Sequence, residues 1–346
     1  MYHRREFVEV LNTLPLNLSC VSDEMGSPYG ACDDLSTVLG EDDYVCTLPP
    51  VVMKLAAKDL CEDELSRTAG LQQLREYIRR NPDITKCRLD ANFLLRFLRL
   101  KKFRLKESQE CLEKYLRIRM EHSNWFSRLD IRDAMLEDLI DQGYFFALPE
   151  RDESGRRVFF SVAHKMNPNR HTTADQVRAT MIGLESLLED EENQVRGFTY
   201  IFDERDVGLN LICLWTPAEV SKAFQCCEKT IPARHKEIHF INLPTALYAI
   251  FEFSKTLLSD KIKSRFQVHS DEAKLKKKVP INILPKEYGG TVPMAEMIKM
   301  YKKELLSVRS RLLMMDQMQI AKKQKTKKLD KAIETIQKNF RKLDID

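Results

Sequence analysis

The sequence predicts an α/β fold in which a layer of helices precedes a mostly parallel β-sheet. Helical apolar patterns occupy residues 51–122, and short apolar strands alternate with helical patterns from residue 143 to 241. A strand, a crossover helix and a second strand in this order form parallel pairs. The 346 residues, 43% of them hydrophobic and 31% charged, are enough to bury the core of one large domain or two small ones.

The N-terminal layer is predicted from helical apolar spacing and from capping residues. Residues 51–80 form a helical segment that ends before Pro82. Asp90 is a suitable N-cap for a helix over residues 91–100, whose apolar side chains follow an i, i+1, i+4, i+5 pattern. A further helix is predicted over residues 106–122.

The sheet is predicted to begin with a hairpin. Residues 143–148 and 157–163 are apolar runs, and the turn residues 152–155 lie between them. A helix, a strand, a helix and a strand then follow in turn. They span residues 173–192 with a cap at Thr172 or Thr173, 198–203, 217–228 and 238–241. This order predicts that the strands after the hairpin are parallel.

Residues 245–258 are predicted to form a helix that is apolar on nearly all sides. Its only charged residues are Glu252 and Lys255. Such a helix is either buried all round or covers something apolar that is not protein, and it is too short to span a bilayer. Three basic residues follow between positions 261 and 265. The residues alone leave open a lid with a cationic patch or an ordinary core helix with a solvated end.

The two ends of the chain carry opposite charge. Residues 1–53 contain nine acidic against two basic residues, whereas residues 299–346 contain fourteen Lys or Arg against six acidic residues. The acidic head has little apolar periodicity and is expected to be disordered, and a long lysine-rich helix is expected from Leu305 onward. The predicted domains are an acidic head over 1–50, a helical domain over 51–125, an α/β domain over 140–292 and a basic helical tail over 293–346.

Cysteine usage and the N-terminus predict a cytoplasmic protein. The nine cysteines are odd in number and contain no CxxC pair, which argues against a disulfide framework or a zinc site. Glu9, Asn12 and Pro15 interrupt any apolar stretch near the start, so neither a signal peptide nor a transmembrane helix is expected. Tyr2 stands where N-myristoylation requires glycine.

No catalytic, cofactor or metal site is predicted, and the chain is not expected to be an enzyme. It has no GxSxG, GxGxxG, P-loop or HExxH motif. His235 and His239 lie on an extended segment, where four residues span about 13 Å, so they are not expected to share a metal. Asp203, Glu204 and Asp206 cluster at a strand end, where a solvated turn is favoured over acid–base chemistry.

Three sequence blocks resemble the CRAL-TRIO lipid-binding family. They are FLLRFLR at residues 93–99, the segment 238–265 and LPKEYGG at residues 284–290. The resemblance covers about residues 71–290 and is closest to the branch of the α-tocopherol transfer protein and cellular retinaldehyde-binding protein. It implies a helical N-terminal domain and an α/β domain whose sheet encloses a hydrophobic cavity, with the 245–258 helix as its lid.

Alternation along the strand 198–203 places Tyr200 and Phe202 on one face. A packed core without a void fits the same side chains, but the resemblance implies that this face lines a ligand cavity. The cavity residues that it implies are Val177, Thr180, Leu184, Phe198, Tyr200, Phe202, Ala223, Cys226, Cys227, Ala233, His235 and Ile238. The lid residues are Leu247, Ile250, Phe251, Ser254, Leu257 and Leu258.

Two pairs of basic residues are spaced so that each pair shares a face. Arg234 and Lys236 lie two residues apart on an extended segment, and Lys261 and Arg265 lie four residues apart on a predicted helix. Two such pairs can converge on a headgroup phosphate, and a solvated basic face is the alternative. The resemblance implies that these four residues, with Lys101, bind phosphoinositides.

Together these observations predict a non-enzymatic intracellular carrier without a cofactor. It is expected to bind a small hydrophobic ligand, such as a tocopherol, retinoid or carotenoid, under the lid and to transfer it to phosphoinositide-containing membranes. A phospholipid ligand also remains open. The alternatives are a lipid-sensing regulator and an interaction scaffold that holds no ligand. The expected partners are the ligand and anionic membrane surfaces but no nucleic acid, and the expected state is a cytoplasmic monomer with peripheral membrane association.

Overall fold

The computed structural model describes residues 40–321, and this part of the chain begins with a layer of helices. Its elements are α1 (Pro50–Leu60), α2 (Glu64–Arg80), β1 (Ile84–Lys86), α3 (Ala91–Leu100), α4 (Leu105–Glu121), α5 (Ser123–Phe126) and α6 (Ala134–Asp141). The acidic head up to residue 39 lies outside the described residues. The helical N-terminal layer is confirmed.

Capping residues set the ends of these helices. Asp90 accepts a hydrogen bond from the Phe93 amide at 3.1 Å and so caps α3, as predicted. The segment predicted to be helical over residues 51–80 consists of two helices, because Cys61 adopts a left-handed conformation with φ 60° that ends α1. Asp63 then starts α2, since its side chain accepts from the Ser66 amide at 2.7 Å while Ser66 Oγ accepts from the Asp63 amide.

The sheet and its helices follow. The elements are β2 (Phe145–Arg151), β3 (Arg157–Val162), α7 (Thr173–Leu187), α8 (Glu191–Arg196), β4 (Phe198–Asp203), α9 (Leu209–Ile212), α10 (Pro217–Lys229), β5 (His235–Ile241), α11 (Thr245–Thr256), α12 (Asp260–Lys263), β6 (Phe266–His269) and α13 (Glu272–Leu275). The strand order is β2-β3-β4-β5-β6. In this five-stranded sheet, only the β2–β3 pair is antiparallel, so the predicted α/β fold with a mostly parallel sheet is confirmed.

The helix predicted over residues 173–192 is two helices. Thr172 caps α7, and Asp190 accepts from the Glu192 amide at 2.9 Å to start α8. Gly197, with φ 82°, then turns the chain into β4. A Cβ atom at Gly197 would lie 2.2 Å from the Arg234 carbonyl oxygen, so only glycine lets the start of β4 approach the residue before β5.

The described chain ends with elements that return to the helical layer. They are α14 (Met294–Ser307), α15 (Arg309–Met314) and β7 (Gln319–Ile320). The continuous tail helix predicted from Leu305 is wrong within these residues, since α14 ends at Ser307 and the chain then forms the short helix α15 and the strand β7. That strand pairs with β1 in antiparallel orientation. Residues 322–346 lie outside the described part.

Buried arginines join the helical layer to the region of α7 and α8. Arg88, Arg96 and Arg99 have no more than 1% of their surface exposed. Arg88 Nη1 donates to Glu189 at 2.7 Å, and Arg96 Nη1 donates to Glu185 at 2.9 Å. A charge buried in this way persists only when it is paired and hydrogen-bonded. These contacts therefore fix the layer against the α/β domain.

Candidate ligand cavity and cationic surface

A cavity of about 380 Å³ lies between one face of the sheet and the helix α11. Aromatic side chains form its sheet wall, where Phe202 and Phe240 are register partners and their rings lie 5.2 Å apart. Phe251 on α11 contacts the Phe240 ring at 5.1 Å and covers the void. The lining residues are Tyr144, Phe145, Ser161, Ala163, Gln176, Thr180, Phe202, Glu204, Val207, Leu211, Ile212, Trp215, Val220, Ala223, Phe224, Phe240, Leu243, Leu247, Phe251, Phe253, Ser254 and Phe266.

A smaller cavity of about 130 Å³ adjoins the first. The residues that line both are Tyr144, Gln176, Thr180, Trp215 and Ala223. The remaining walls of the smaller cavity are Trp125, Phe126, Val177, Met181, Cys226 and Cys227. A ligand that reaches from the larger cavity into the smaller one must therefore pass these shared side chains.

The structure places half of the predicted cavity residues on these walls. Thr180, Phe202 and Ala223 line the larger cavity, and Val177, Cys226 and Cys227 line the smaller one. The other six lie outside both linings. They are Leu184, Phe198, Tyr200, Ala233, His235 and Ile238.

The position along the strand explains why the alternation pattern was only partly informative. Phe198 and Tyr200 share a face with Phe202, but they lie toward the start of β4. There Tyr200 stacks on Phe159 at 5.5 Å, and its hydroxyl hydrogen-bonds to His235 Nδ1 at 2.7 Å. Core side chains fill this end, and the void opens at the carboxyl ends of the strands, where open α/β sheets usually bind ligands.

The acidic cluster at the end of β4 is not a solvated turn, which corrects the prediction. Asp203 is fully buried and accepts hydrogen bonds from the Tyr288 hydroxyl at 2.6 Å and from Asn242 Nδ2 at 2.8 Å. Glu204 lines the larger cavity. Of the three, only Asp206 is exposed.

The two histidines on β5 have separate partners. His235 contacts Tyr200 and the Cys227 carbonyl oxygen, whereas His239 Nδ1 lies 3.0 Å from His269 Nε2. Burial lowers the pKa of both His235 and His239 to about 4. Both imidazoles are therefore neutral at pH 7.

The predicted lid residues divide between the cavity and the core. Leu247, Phe251 and Ser254 line the cavity. Leu257 is half-buried and Leu258 is buried outside the lining, and the side chain of Ile250 is outside the described part. Apolar groups also face outward on this helix, since Tyr248 is 46% and Phe253 is 44% exposed.

The predicted basic residues act on one another electrostatically. Burial lowers the pKa of Lys261, and the charges of Arg265, Lys102, Arg234 and Lys101 lower it further. Lys102 was not predicted. Burial, followed by the charge of Arg234, also lowers the pKa of Lys236, to about 8. We call the set Lys101, Lys102, Arg234, Lys236, Lys261 and Arg265 the cationic surface.

Few acidic groups neutralise the cationic surface. Arg234 lies 3.9 Å from Asp59, and its guanidinium donates to the Val195 carbonyl oxygen. The guanidinium of Arg265 donates to the His235 carbonyl oxygen. Over residues 40–321, no salt bridge reaches the other five cations. The predicted helical i, i+4 pairing is wrong, because α12 ends at Lys263, before Arg265.

Within residues 40–321, no helix is both long and apolar enough to cross a membrane.

The sequence is similar to known protein families and to individual relatives. The sequence matches the CRAL/TRIO domain family over residues 141–290 and the Pinta-like UBA domain family over residues 63–136. It is 33% identical over 249 residues to the mouse alpha-tocopherol transfer protein-like protein, and the match covers 72% of each chain. It is 30% identical over 251 residues to clavesin-1 of Xenopus laevis, covering 72% of this chain and 76% of clavesin-1.

Among solved structures, the chain is similar to Sfh5. The TM-score is 0.48 at 14% identity, and the similarity covers 68% of this chain and 92% of Sfh5.

Proposed function

The chain belongs to the CRAL/TRIO family, and on this premise we propose that it carries a small hydrophobic ligand, of the tocopherol, retinoid or carotenoid kind, to phosphoinositide-containing membranes. The family membership predicted from the three sequence blocks is thereby confirmed. The proposed carrier is non-enzymatic, works in the cytoplasm as a monomer and binds membranes peripherally. The observation that carries the proposal is an apolar cavity under a lid helix that is followed directly by a cationic surface with few acidic neighbours.

The cavity supports the binding of a ligand. Its volume of about 380 Å³ lies within the range of roughly 300–1,000 Å³ that is typical of small-molecule sites. The aromatic wall offers apolar surface, and its burial against a ligand contributes about 25 cal/mol per Å². Phe251 closes this wall from the lid side, so a ligand enters or leaves when α11 moves.

The lid and the cationic surface support membrane contact. Tyr248 and Phe253 expose apolar area on α11, and exposed aromatic groups of this kind partition into membrane interfaces. Burial, followed by the charges of neighbouring cations, lowers the pKa values of Lys236 and Lys261, so these cations repel one another. A phosphoinositide headgroup relieves this repulsion through charge-assisted hydrogen bonds. Membrane contact at both features then favours the open lid over the closed one.

Organic extraction of the purified full-length protein, followed by mass spectrometry, tests the proposal. A carrier is expected to yield one lipid species at a ratio near one per protein. Transfer of that lipid between vesicles should be faster when the acceptor contains phosphoinositide. An empty protein that transfers nothing would favour the scaffold alternative, and a bound lipid that never leaves would favour the lipid-sensing regulator.

Phe251→Asp is expected to slow transfer between vesicles by at least about ten-fold, because it places a charge against apolar ligand and bilayer. Phe251 is 9% exposed and lies against Phe240 and Phe266. Phe251→Leu keeps an apolar side chain and serves as the control, with transfer near the wild-type rate. Unchanged transfer by a folded Phe251→Asp protein would remove the lid from the mechanism.

Binding to phosphoinositide vesicles is expected to weaken as the pH rises above 8. Burial and neighbouring cations lower the pKa of free Lys236 to about 8, and a bound phosphate raises it again. The affinity for the headgroup is therefore highest well below pH 8, where free Lys236 is charged. It falls as the pH rises through 8, because a growing fraction of the free protein must take up a proton at Lys236 in order to bind. Lys236→Arg keeps the charge at all these pH values and should flatten the profile between pH 8 and 9.5. A flat wild-type profile would contradict this role of Lys236.

A further inference from the structure

Gln176 is held so that its amide nitrogen lacks a partner inside the cavity wall. The residue is 8% exposed and lines both cavities. Its Oε1 accepts from the Tyr144 hydroxyl at 3.0 Å and from Trp215 Nε1 at 3.2 Å. An indole N–H can only donate, so the amide oxygen must face Trp215. Gln176 Nε2 is then left as a buried donor without a hydrogen-bond partner among residues 40–321.

Glu204 supplies a second polar group to the same cavity. Its side chain lines the void and has neither a hydrogen bond nor an ion pair with the described residues. Its charge acts on the hydroxyl of Tyr144, the group that also bonds Gln176. Gln176, Tyr144 and Glu204 all line the larger cavity, so both polar groups are available to a ligand held there. Burial, and then the charge of Asp203, raises the pKa of Glu204 to about 7, so both its protonated and ionised forms occur near neutral pH.

These two groups discriminate among the polar ends that an apolar ligand can carry. A terminal ammonium pairs with Glu204 but sets its N–H donors against the donor of Gln176. A carboxylate accepts from Gln176 but is repelled by the ionised form of Glu204. A hydroxyl oxygen accepts a hydrogen bond from Gln176 Nε2. The hydroxyl can also donate its proton to ionised Glu204, or accept a second hydrogen bond from protonated Glu204.

We propose that the cavity selects apolar alcohols, with the ligand hydroxyl held between Gln176 and Glu204. This inference rests on the proposed function and narrows its ligand class. An unpaired donor that a ligand satisfies is also a source of selectivity, because an analogue without the oxygen leaves that donor buried and unpaired.

Displacement of Nile red from the full-length protein by hexadecan-1-ol and by hexadecane tests this site. The measured quantity is the ratio of the dissociation constant of hexadecane to that of hexadecan-1-ol. The solubility and self-association of the free ligands are the same for every variant, so they cancel when this ratio is compared between variants. Gln176→Leu and Glu204→Leu are each expected to reduce the preference for the alcohol by about five- to ten-fold, the effect of one buried hydrogen bond. Glu204→Leu should also strengthen the binding of hexadecanoic acid relative to the alcohol.

Val220→Ala is the control, because Val220 is an apolar wall residue and its loss should weaken both ligands alike. Gln176→Leu also removes the bonds to Tyr144 and Trp215, so its fold is checked by circular dichroism. Glu204→Leu removes no such bond and decides the question if Gln176→Leu is unfolded. If both ligands displace Nile red from the wild type and the ratio is unchanged in the folded variants, the hydroxyl site is overturned while the carrier function stands. If neither ligand displaces the dye, the carrier function itself fails.

Discussion

Arg99→Met is expected to lower the free energy of unfolding by about 3–5 kcal/mol, because it leaves buried carboxylates without their counter-charge. Arg99 is fully buried. Its Nε and Nη2 donate to both oxygens of Glu62 at 2.9 and 2.8 Å, and Nη2 also donates to Glu191 at 2.8 Å. Burial alone lowers the pKa of Arg99, but the hydrogen bonds and charges of Glu62 and Glu191 raise it overall. Methionine keeps most of the volume, so the loss is electrostatic rather than a cavity effect.

Urea denaturation of Arg99→Met measures this loss against a matched surface variant. Within residues 40–321, Arg80 pairs only with Glu76, and its side chain is 82% exposed, so Arg80→Met should change stability by no more than about 0.5 kcal/mol. The double change of Glu62→Gln with Arg99→Met should lower the free energy of unfolding by less than the sum of the two single changes. Glu62→Gln leaves the charge of Arg99 without one of its partners, and Arg99→Met then removes that charge. A loss below about 1 kcal/mol for Arg99→Met would show that water reaches the network.

A second group of buried ion pairs, formed by Glu189 with Arg88 and Arg96, makes stability depend on acid. Burial alone raises the pKa of Glu189, but the charges of Arg88 and Arg96 lower it overall, well below its model-peptide value of 4.5. A depressed pKa contributes stability that is fully present above the unfolded value and is lost as the pH falls toward the folded one. The free energy of unfolding is therefore expected to decline steadily below pH 4.5. A plateau down to pH 3 in chemical denaturation would contradict this coupling.

Local signals predicted most of the fold. Asp90 and Thr172 cap helices as expected because an N-cap depends only on a side chain and the amide three residues later. The break at Cys61 was not predictable, since a left-handed non-glycine residue carries no turn signal. The pairing of β1 with β7 joins residues more than 230 positions apart, and neither short strand has a pattern of its own.

The site was less predictable because distant elements build it. Alternation gave the correct face for Phe202 but not the point along the strand at which the core gives way to a void. Gln176 and Glu204 were missed as a pair because they come from a helix and from the end of a strand that only the tertiary fold brings to one cavity. The burial of Arg96 and Arg99 could likewise not be predicted from the sequence, because carboxylates that pair with them lie some ninety residues further along the chain.

Lys261→Ala and Arg265→Ala are expected to abolish the preference for phosphoinositide over phosphatidylserine vesicles. A charge-assisted hydrogen bond to a headgroup is worth about 1.5–3 kcal/mol, so each change should weaken phosphoinositide binding by about ten-fold or more. Diffuse attraction to any anionic surface is worth only about 1 kcal/mol per cation, so phosphatidylserine binding should fall by about five-fold at most. Sedimentation with both vesicle types at low and physiological salt measures the two effects.

Two controls separate a specific headgroup site from the sum of charge. Lys303 is an exposed lysine on α14, which packs against β2 at the opposite edge of the sheet, so Lys303→Ala removes one charge away from the cationic surface. The tail variant Lys327→Ala with Lys328→Ala removes two charges outside the described residues. Both should weaken binding to the two lipids alike and mainly at low salt, because salt screens diffuse attraction more than hydrogen-bonded contact. Should the tail variant lose lipid preference while the Lys261 and Arg265 variants keep it, the tail would be the membrane element and the cationic surface would not.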